Sequence, residues 1–385
     1  MAFLLLLLAV CTLLFIIGFG IDLALGNRAT EYLKAIPPWQ DPSGGPVLSI
    51  IVPARNEEKH IEAALQSLLN QNYGNTEILV VDDRSSDGTA AILDKMAQVH
   101  TRLRVFHIEE LPEGWLGKNH ALYYGARHAS GEFLLFADAD VVMHPSTVSR
   151  AIRYMVQEQV DHVTVGPEID MPGFFLRIFA GVFILFFALY ARPWKAKDPR
   201  SSRHVGIGAF NLVRTSAYHA SGTHATIAMR PDDDMKLGKI LKNHGFKQRV
   251  LFAEDVIRVE WYSSFGELVS GLEKNAFAGI EYSLPVMTLG TIFLFLFFFW
   301  PFLAISITSG FLRLLNLTII AVIVLIYCDN ARFHKSNPWY VLGFPFAVLL
   351  FIYILWRSTI ITLRNDGIRW RGTHYPLSRL KANRV

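Results

Sequence analysis

Hydrophobic and polar positions fall into two regimes along the chain. From Met1 to Leu25 apolar residues run almost without a break, a length sufficient to cross a bilayer. Three more apolar runs, at about 286–308, 311–328 and 340–361, are rich in Phe, Leu and Ile and nearly free of charge. Between them, over about 43–283, polar and apolar residues mix as in a globular domain. There, short apolar runs alternate with segments of helical spacing. Val47–Val52, Glu77–Val81, Leu103–Ile108 and Phe133–Ala137 read as strands. Ile61, Leu65, Leu68 and Leu69 recur at helical spacing, with Asn56 as their expected cap and Glu57 and Glu58 in the first turn. Further helices are expected through Ile92, Leu93 and Met96, and over Asn119–His128. Near-continuous apolar strands alternating with helices predict an α/β domain with a parallel sheet covered on both faces. Ligands of such sheets bind beyond the carboxyl ends of the strands.

One more apolar run, Phe174 to Tyr190, is interrupted only by Arg177. A crossing there would put Asp138 and Asp140 on the opposite side of the membrane from Asp232–Asp234. The segment 172–203 is therefore read as an amphipathic helix in the headgroup region, with Arg192, Lys195, Lys197, Arg200 and Arg203 reaching lipid phosphates. Nothing basic precedes the first span and Arg28 and Lys34 follow it, which predicts a cytoplasmic globular domain. No small-x-small cleavage pattern follows cleanly, so the span is an anchor and not a cleaved signal. Arg357, Arg364, Arg369, Arg371, Arg379, Lys381 and Arg384 place the tail on the same side. An even number of crossings must then separate domain and tail, yet three apolar runs lie there; one is interfacial or re-entrant. The expected organisation is an anchor at 1–26, a globular domain at 43–283, two to three membrane helices within 286–361, and a basic tail at 362–385. That describes a multi-pass protein of the cell (inner) membrane.

Composition adds little to this picture and removes several classes. The 385 residues are 52% hydrophobic with a net charge of +4, and the positive charges sit beside membrane segments, so no nucleic-acid partner is implied. Cys11 and Cys328 are the two cysteines, both in apolar runs, which excludes a disulfide framework and a thiolate metal site. The chemistry is concentrated in acids. Asp138 and Asp140 follow the apolar Phe133–Phe136, and residues i and i+2 of an extended segment share a face. Two carboxylates at the end of a buried strand call for a compensating charge, and a divalent cation supplies it. Asp82 and Asp83 end the second strand, and Asp232, Asp233 and Asp234 form a third group. No Gly-x-Gly-x-x-Gly follows the first strand and no Walker-type loop occurs; Gly206-Ile207-Gly208 belongs to a later loop.

As an ordered set, Pro53-Ala54-Arg55-Asn56-Glu57-Glu58, Val81-Asp82-Asp83 through Thr89, Gly117-Lys118, Asp138-Ala139-Asp140 and Asp233-Asp234-Met235-Lys236-Leu237 resemble the family 2 inverting glycosyltransferases over roughly residues 47–280. Pro112-Glu113-Gly114-Trp115-Leu116-Gly117-Lys118 is similar to the membrane-anchored branch that glycosylates ceramide, carotenoids and hopanoids. The resemblance implies a GT-A fold, a Rossmann-like and mostly parallel sheet. It implies that Asp83, with Asp82 beside it, holds the nucleotide base and that Pro53, Ala54, Arg55 and Glu57 lie around the nucleoside. Asp138 and Asp140 match the pair that holds Mg²⁺ or Mn²⁺ on the donor diphosphate. Spacing to Leu237 puts the catalytic base at Asp234, with Asp233 in place of the family's Glu; Asp232 leaves room for a slip of one.

Elementary chemistry agrees with those roles. Loss of a diphosphate builds negative charge that a hard cation stabilises, and Lys118 is placed to add a second positive charge. The attacking hydroxyl must lose a proton on the opposite face, which needs a positioned carboxylate. Processive synthases of the family carry Gln/Arg-x-x-Arg-Trp after the base, whereas Ile257-Arg258-Val259-Glu260-Trp261 departs at two positions. The expectation is transfer of one sugar from a nucleotide sugar, UDP-linked as the resemblance implies, to a lipid hydroxyl. A polyprenyl-phosphate sugar transferase, a polysaccharide synthase-like enzyme, a nucleotidyltransferase and a non-enzymatic membrane scaffold are the rival readings.

Overall fold

The structure is a computed structural model describing residues 2–40 and 44–385, so the expected domain start at residue 43 lies outside the described residues. In chain order, helix α1 (Ala2–Arg28) precedes β1 (Leu48–Ala54), α2 (Ile61–Leu69), β2 (Thr76–Asp83), α3 (Thr89–Val99), β3 (Leu103–Ile108), α4 (Gly117–His128), β4 (Phe133–Phe136), β5 (Val142–Met143) and α5 (Thr147–Gln157). Then come β6 (His162–Gly166), β7 (Glu168–Asp170), α6 (Phe174–Ala191), β8 (Asn211–Arg214), α7 (Thr215–Ala220), α8 (Asp233–Asn243), β9 (Gln248–Phe252) and β10 (Ile257–Glu260). The remainder is helical through α9 (Phe265–Ala276), α10 (Leu284–Leu294), α11 (Trp300–Ile307), α12 (Gly310–Phe333) and α13 (Phe344–Arg364), with the hairpin β11 (Gly367–Trp370) and β12 (Thr373–Pro376) and a last turn, α14 (Leu377–Ala382).

The chain forms two compact units. One comprises Thr30–Asp170, Pro193–Trp261 and Ser378–Val385. Its seven-stranded sheet has the order β3-β2-β1-β4-β8-β6-β9. β1 runs parallel to β2 and β4, and β2 to β3, with Ile51 level with Leu79 and Phe136. β8 is antiparallel to both neighbours, β4 and β6, and β6 is parallel to β9. The sheet is therefore mostly parallel, as the alternation of elements predicts. Both faces are covered. Ile50, Val52 and Leu135 face a core with Leu65 and Leu93, while Ile51, Leu134 and Phe136 face one with Leu122 and Leu237. Burial on two faces is why these strands are apolar runs without alternation. A smaller sheet, β5-β10-β7, lies beyond β4 in sequence.

The other unit contains the stretch up to Ala29 together with Met171–Arg192 and Tyr262–Leu377. Among the described residues, five helical segments are long and apolar enough to cross a membrane by length and composition: Ala2–Arg28, Phe174–Lys195, Leu284–Ile307, Gly310–Phe333 and Pro338–Arg364. Along α1 the buried residues Ala9, Thr12, Ile16, Phe19, Leu23 and Gly26 recur every three or four positions, forming one packing seam. α1 packs on α12, with Asn27 donating to Asn330 (3.0 Å) and Arg28 paired with Asp329 (2.7 Å). Pro301 removes a backbone donor, and the preceding Phe295–Phe299 relaxes into a π-helical turn.

Candidate active site

The carboxyl ends of β1, β2 and β4 gather the acids that the sequence singles out. β1 ends with Pro53 and the buried Ala54, level with Val81 and Asp82. Beyond it, Asn56 takes a left-handed conformation (φ 55°). The expected capping role is not what this residue does: α2 starts only at Ile61, and the Asn56 carboxamide instead accepts from Ser86 N (2.8 Å). Asn56 N donates to Ser85 Oγ (3.0 Å), Glu57 N to Thr89 Oγ1 (2.8 Å), and Gly88 N to Glu58 Oε2 (2.8 Å). Those bonds staple the loop after β1 to the turn after β2.

Consecutive strand residues face opposite ways, and this separates Asp82 from Asp83. Asp83 lies between two guanidinium groups: Arg84 Nε (2.7 Å to Oδ1) and Nη2 (3.2 Å to Oδ2), and Arg55 Nη1 (3.2 Å to Oδ2). Gly117 closes over it, since a Cβ there would lie 2.0 Å from Asp83 Oδ2. Asp82 is engaged elsewhere, accepting from Ser85 N (3.2 Å) and meeting His107 Nδ1 at 3.0 Å, while His107 Nε2 meets Asp94. The bond to Asp82 holds the His107 imidazole above its ordinary pKa, with Asp94 adding to the effect against partial burial. Of this pair the structure places Asp83 among the arginines, and Asp82 against His107.

Lys118, at the start of α4, joins the other two acid groups. Its ammonium is 2.8 Å from Asp138 Oδ1 and 3.6 Å from Asp233 Oδ1, with 21% of the side chain exposed. Burial opposes its charge, but Asp138, Asp233 and Asp234 together hold it well above the usual lysine range. Asp140 is pushed up to about 6 by burial first, then by Asp138 and Glu57, with Lys118 pulling the other way. Glu57 thus bears on the Asp138–Asp140 pair. Negative charge there exceeds what one ammonium balances, and a hard divalent cation fits that excess. Asp138 and Asp140 would hold it; among the described residues no group of three or more His, Cys, Asp or Glu side chains is arranged as a metal site, so diphosphate oxygens and waters would complete the shell.

At the start of α8 the three adjacent aspartates are sorted by their partners. Asp232 accepts from Arg230 Nε (2.9 Å) and Nη2 (3.0 Å) and lies 3.5 Å from Lys236. The fully buried Arg230 thereby occupies both Asp232 oxygens. Asp233 is buried and faces Lys118. Asp234 accepts from Gly208 N through Oδ2 (2.9 Å) and from Met235 N through Oδ1 (2.7 Å). Burial raises its pKa above the usual carboxylate range, opposed by Lys118 and the two backbone donors. Such a group is better matched to taking a proton near neutrality than a solvated aspartate.

Glycines set the distances here. A Cβ on Gly206 would lie 1.8 Å from Asp234 O, one on Gly208 2.5 Å from Asp138 Oδ2, and one on Gly238 2.4 Å from Val205 O. The 205–208 loop therefore runs in backbone contact with the first turns of α8, and Asp138 N donates to Gly208 O (3.0 Å). A buried chain supports it: His162 bonds to Asn211 and Gln248, and Gln248 Oε1 accepts from Val205 N (3.0 Å). Asn119, also fully buried, donates to the carbonyls of Ile227 (2.7 Å), Ala228 (3.2 Å) and Arg230 (2.9 Å). That side chain fixes Lys118 against the turn leading to Asp232–Asp234. No local pattern distinguishes it in the sequence from an ordinary polar residue at a helix start.

Residues 49–221 match the family model described as glycosyl transferase family 2. The 4,4'-diaponeurosporenoate glycosyltransferase of Staphylococcus aureus strain USA300 is 25% identical over 345 residues, covering 86% of this chain and 89% of the relative. Its counterpart from strain MRSA252 is 24% identical over the same length. Among solved structures, a mannosyltransferase from Pyrobaculum calidifontis in complex with GDP-Man and Mn²⁺ superposes with a TM-score of 0.57 at 17% identity, covering 94% of this chain and all of that one. Family match, strand order and clustered acids agree: residues 49–221 are similar to glycosyl transferase family 2, on a GT-A-like fold.

Proposed function

We propose that the protein transfers a single sugar, with inversion, from a UDP-sugar to the hydroxyl of a membrane lipid at the cytoplasmic face of the cell membrane. The observation that carries this reading is the convergence of Asp138, Asp233 and Asp234 on Lys118, from three elements far apart in sequence. One cluster then offers both a place for the diphosphate and a carboxylate beside it. A divalent cation on Asp138 and Asp140 would supply charge stabilisation for the departing diphosphate. Lys118 adds a fixed ammonium on the same side, and Asp234, held by Gly208 N and Met235 N, takes the acceptor proton.

Two observations refine the donor and acceptor. Asp83 sits between Arg55 and Arg84, giving a donor–acceptor–donor arrangement. A uracil edge presents one N–H between two carbonyl oxygens and complements it, whereas a guanine edge presents two adjacent donors. This favours uridine, unlike the GDP-linked donor in the Pyrobaculum structure. On the acceptor side, the Staphylococcus relatives are named for a carotenoid acid, which supports a second reading: a carboxylate acceptor that forms a glycosyl ester and needs no base. The cytoplasmic placement rests on Arg28 and Lys34 following the first span.

Membranes containing the protein, incubated with a panel of labelled sugar nucleotides, test all of this. UDP-sugar label entering the organic phase as one hexose per lipid, stable to mild alkali, is the expected result. Alkali-labile label indicates the ester, label on a polyprenyl phosphate the rival transferase, and long polymer a synthase.

A further inference from the structure

Residues 378–385 belong to the same compact unit as the acid cluster, although the chain reaches them after more than a hundred residues of the other unit. Leu380 is fully buried. Asn383 makes two bonds to one turn: its Oδ1 accepts from Met229 N (2.8 Å) and its Nδ2 donates to Thr226 O (2.8 Å). The Val385 side chain packs against a core cluster that includes Leu237, Ile240 and Leu241 of α8, and its backbone oxygen accepts from Lys239 on that helix. Arg379 reaches Glu113, four residues before Gly117, but both side chains are exposed, so this pair contributes little.

The turn at 226–230 is thus held from two sides. Asn119 takes three of its carbonyls from within, and Asn383 takes a donor and a carbonyl from without. Arg230, the last residue of that turn, fixes Asp232, the residue directly before α8. Beyond its own turn bonds and the one from Leu116 N to Ala228 O, the segment is held by those two asparagines.

We infer that residues 378–385 act as a positioning strap for the active site, with Asn383 as the residue that registers the 226–230 turn and hence Asp233 and Asp234 against Lys118. The catalytic half of this inference rests on Asp234 being the base; the mechanical half does not. Asn383 touches neither donor nor acceptor and is a positioning residue.

The test uses full-length Asn383→Ala in detergent, with hydrogen exchange of peptides across 224–237, steady-state rates and UDP–Mn²⁺ calorimetry. Exchange across 224–237 should rise about fivefold or more, because the turn loses its outer anchors. The kcat should fall about tenfold or more with donor KM and UDP affinity within about twofold, since displacement of a base costs turnover and not donor binding. Asn383→Asp keeps the acceptor for Met229 N and loses the bond to Thr226, so it should fall between the two; it also carries the test if the alanine variant does not fold. Arg379→Ala should stay near wild type. Unchanged exchange in Asn383→Ala, or faster exchange with an unchanged kcat, overturns the strap. If wild type transfers no sugar at all, the proposed function fails while the exchange data still decide the mechanical half.

Discussion

Adding one methyl group at Gly206 should be enough to disable the enzyme. The Cβ would stand 1.8 Å from the carbonyl oxygen of Asp234 and 2.5 Å from its carbonyl carbon. Close C···O contacts sit at about 3.3 Å, so loop and helix must part by about 1.5 Å. The obstacle is backbone, which cannot swing aside as a side chain does. Separation on that scale carries Gly208 N out of hydrogen-bond reach of Asp234 Oδ2, now 2.9 Å away. Misplacing a reacting group by about 1 Å costs roughly 100-fold in rate, or about 2.7 kcal/mol of barrier. Overpacking adds a stability loss of about 1–3 kcal/mol. Gly206→Ala should therefore lower kcat at least about 100-fold. The assay is initial-rate transfer of labelled sugar into lipid, with melting temperature and UDP–Mn²⁺ calorimetry alongside. Gly74→Ala, whose Cβ would meet nothing within 4 Å, is the matched control. Gly208→Ala meets the Asp138 carboxylate, which can turn away, and should show an intermediate loss. A Gly206→Ala enzyme within about threefold of wild type would show that the loop and α8 do not need backbone contact to hold the base.

Asp234→Asn should lower kcat by about 10²–10⁴ with donor KM retained, if the acceptor is a hydroxyl; a mild effect in the same rate assay would favour the carboxylate or phosphate acceptor. Because burial raises the Asp234 pKa and the base must be ionised, the acid limb of the kcat profile should lie above the usual carboxylate range, with rate lost as pH falls through it. Asp140→Asn should abolish the Mn²⁺ dependence of UDP binding in calorimetry, and wild-type metal uptake should weaken as pH drops through about 6, where Asp140 takes a proton. Asn119→Ala removes a donor from three carbonyls, of which Ile227 O keeps Arg230 N and Ala228 O keeps Leu116 N, and should cost about 1–3 kcal/mol, read as a lower chemical or thermal midpoint with the fold's circular dichroism retained; a midpoint equal to wild type would contradict the clamp.

The parallel half of the sheet is legible because its strands are buried on both faces and leave apolar runs: 47–52, 77–81 and 103–108 in the sequence correspond to 48–54, 76–83 and 103–108 in the fold. The acid groups announce themselves because charges at the ends of such runs need a reason. What the chain hides is long-range. His162-Val163-Thr164-Val165-Gly166 and Asn211-Leu212-Val213-Arg214 are short, and their pairing brings together segments separated by a whole apolar helix. Asn56 looks like a helix cap because Glu57 and Glu58 follow it; its left-handed backbone, which aims the carboxamide across to Ser86, has no local signature. Asp82 and Asp83 are equivalent until the side-chain alternation of β2 sends one to His107 and the other to Arg55 and Arg84. Asp232 is told apart from its two neighbours only by its pairing with Arg230, which nothing nearby marks as buried.

The seam along α1 bears on how this protein can be handled. Ile16 and Leu23 are almost completely shielded, Asn27 is locked to Asn330, and α12 answers with its own row of Ile319, Ile323 and Tyr327. Gly20 even admits Ile326 so closely that a methyl there would collide at 2.6 Å. A helix so interlocked is part of the helical unit and not a rope tied to it. Trimming it to obtain a detergent-free protein would leave α12 with an unmatched apolar strip and an orphaned carboxamide, and aggregation would be the outcome.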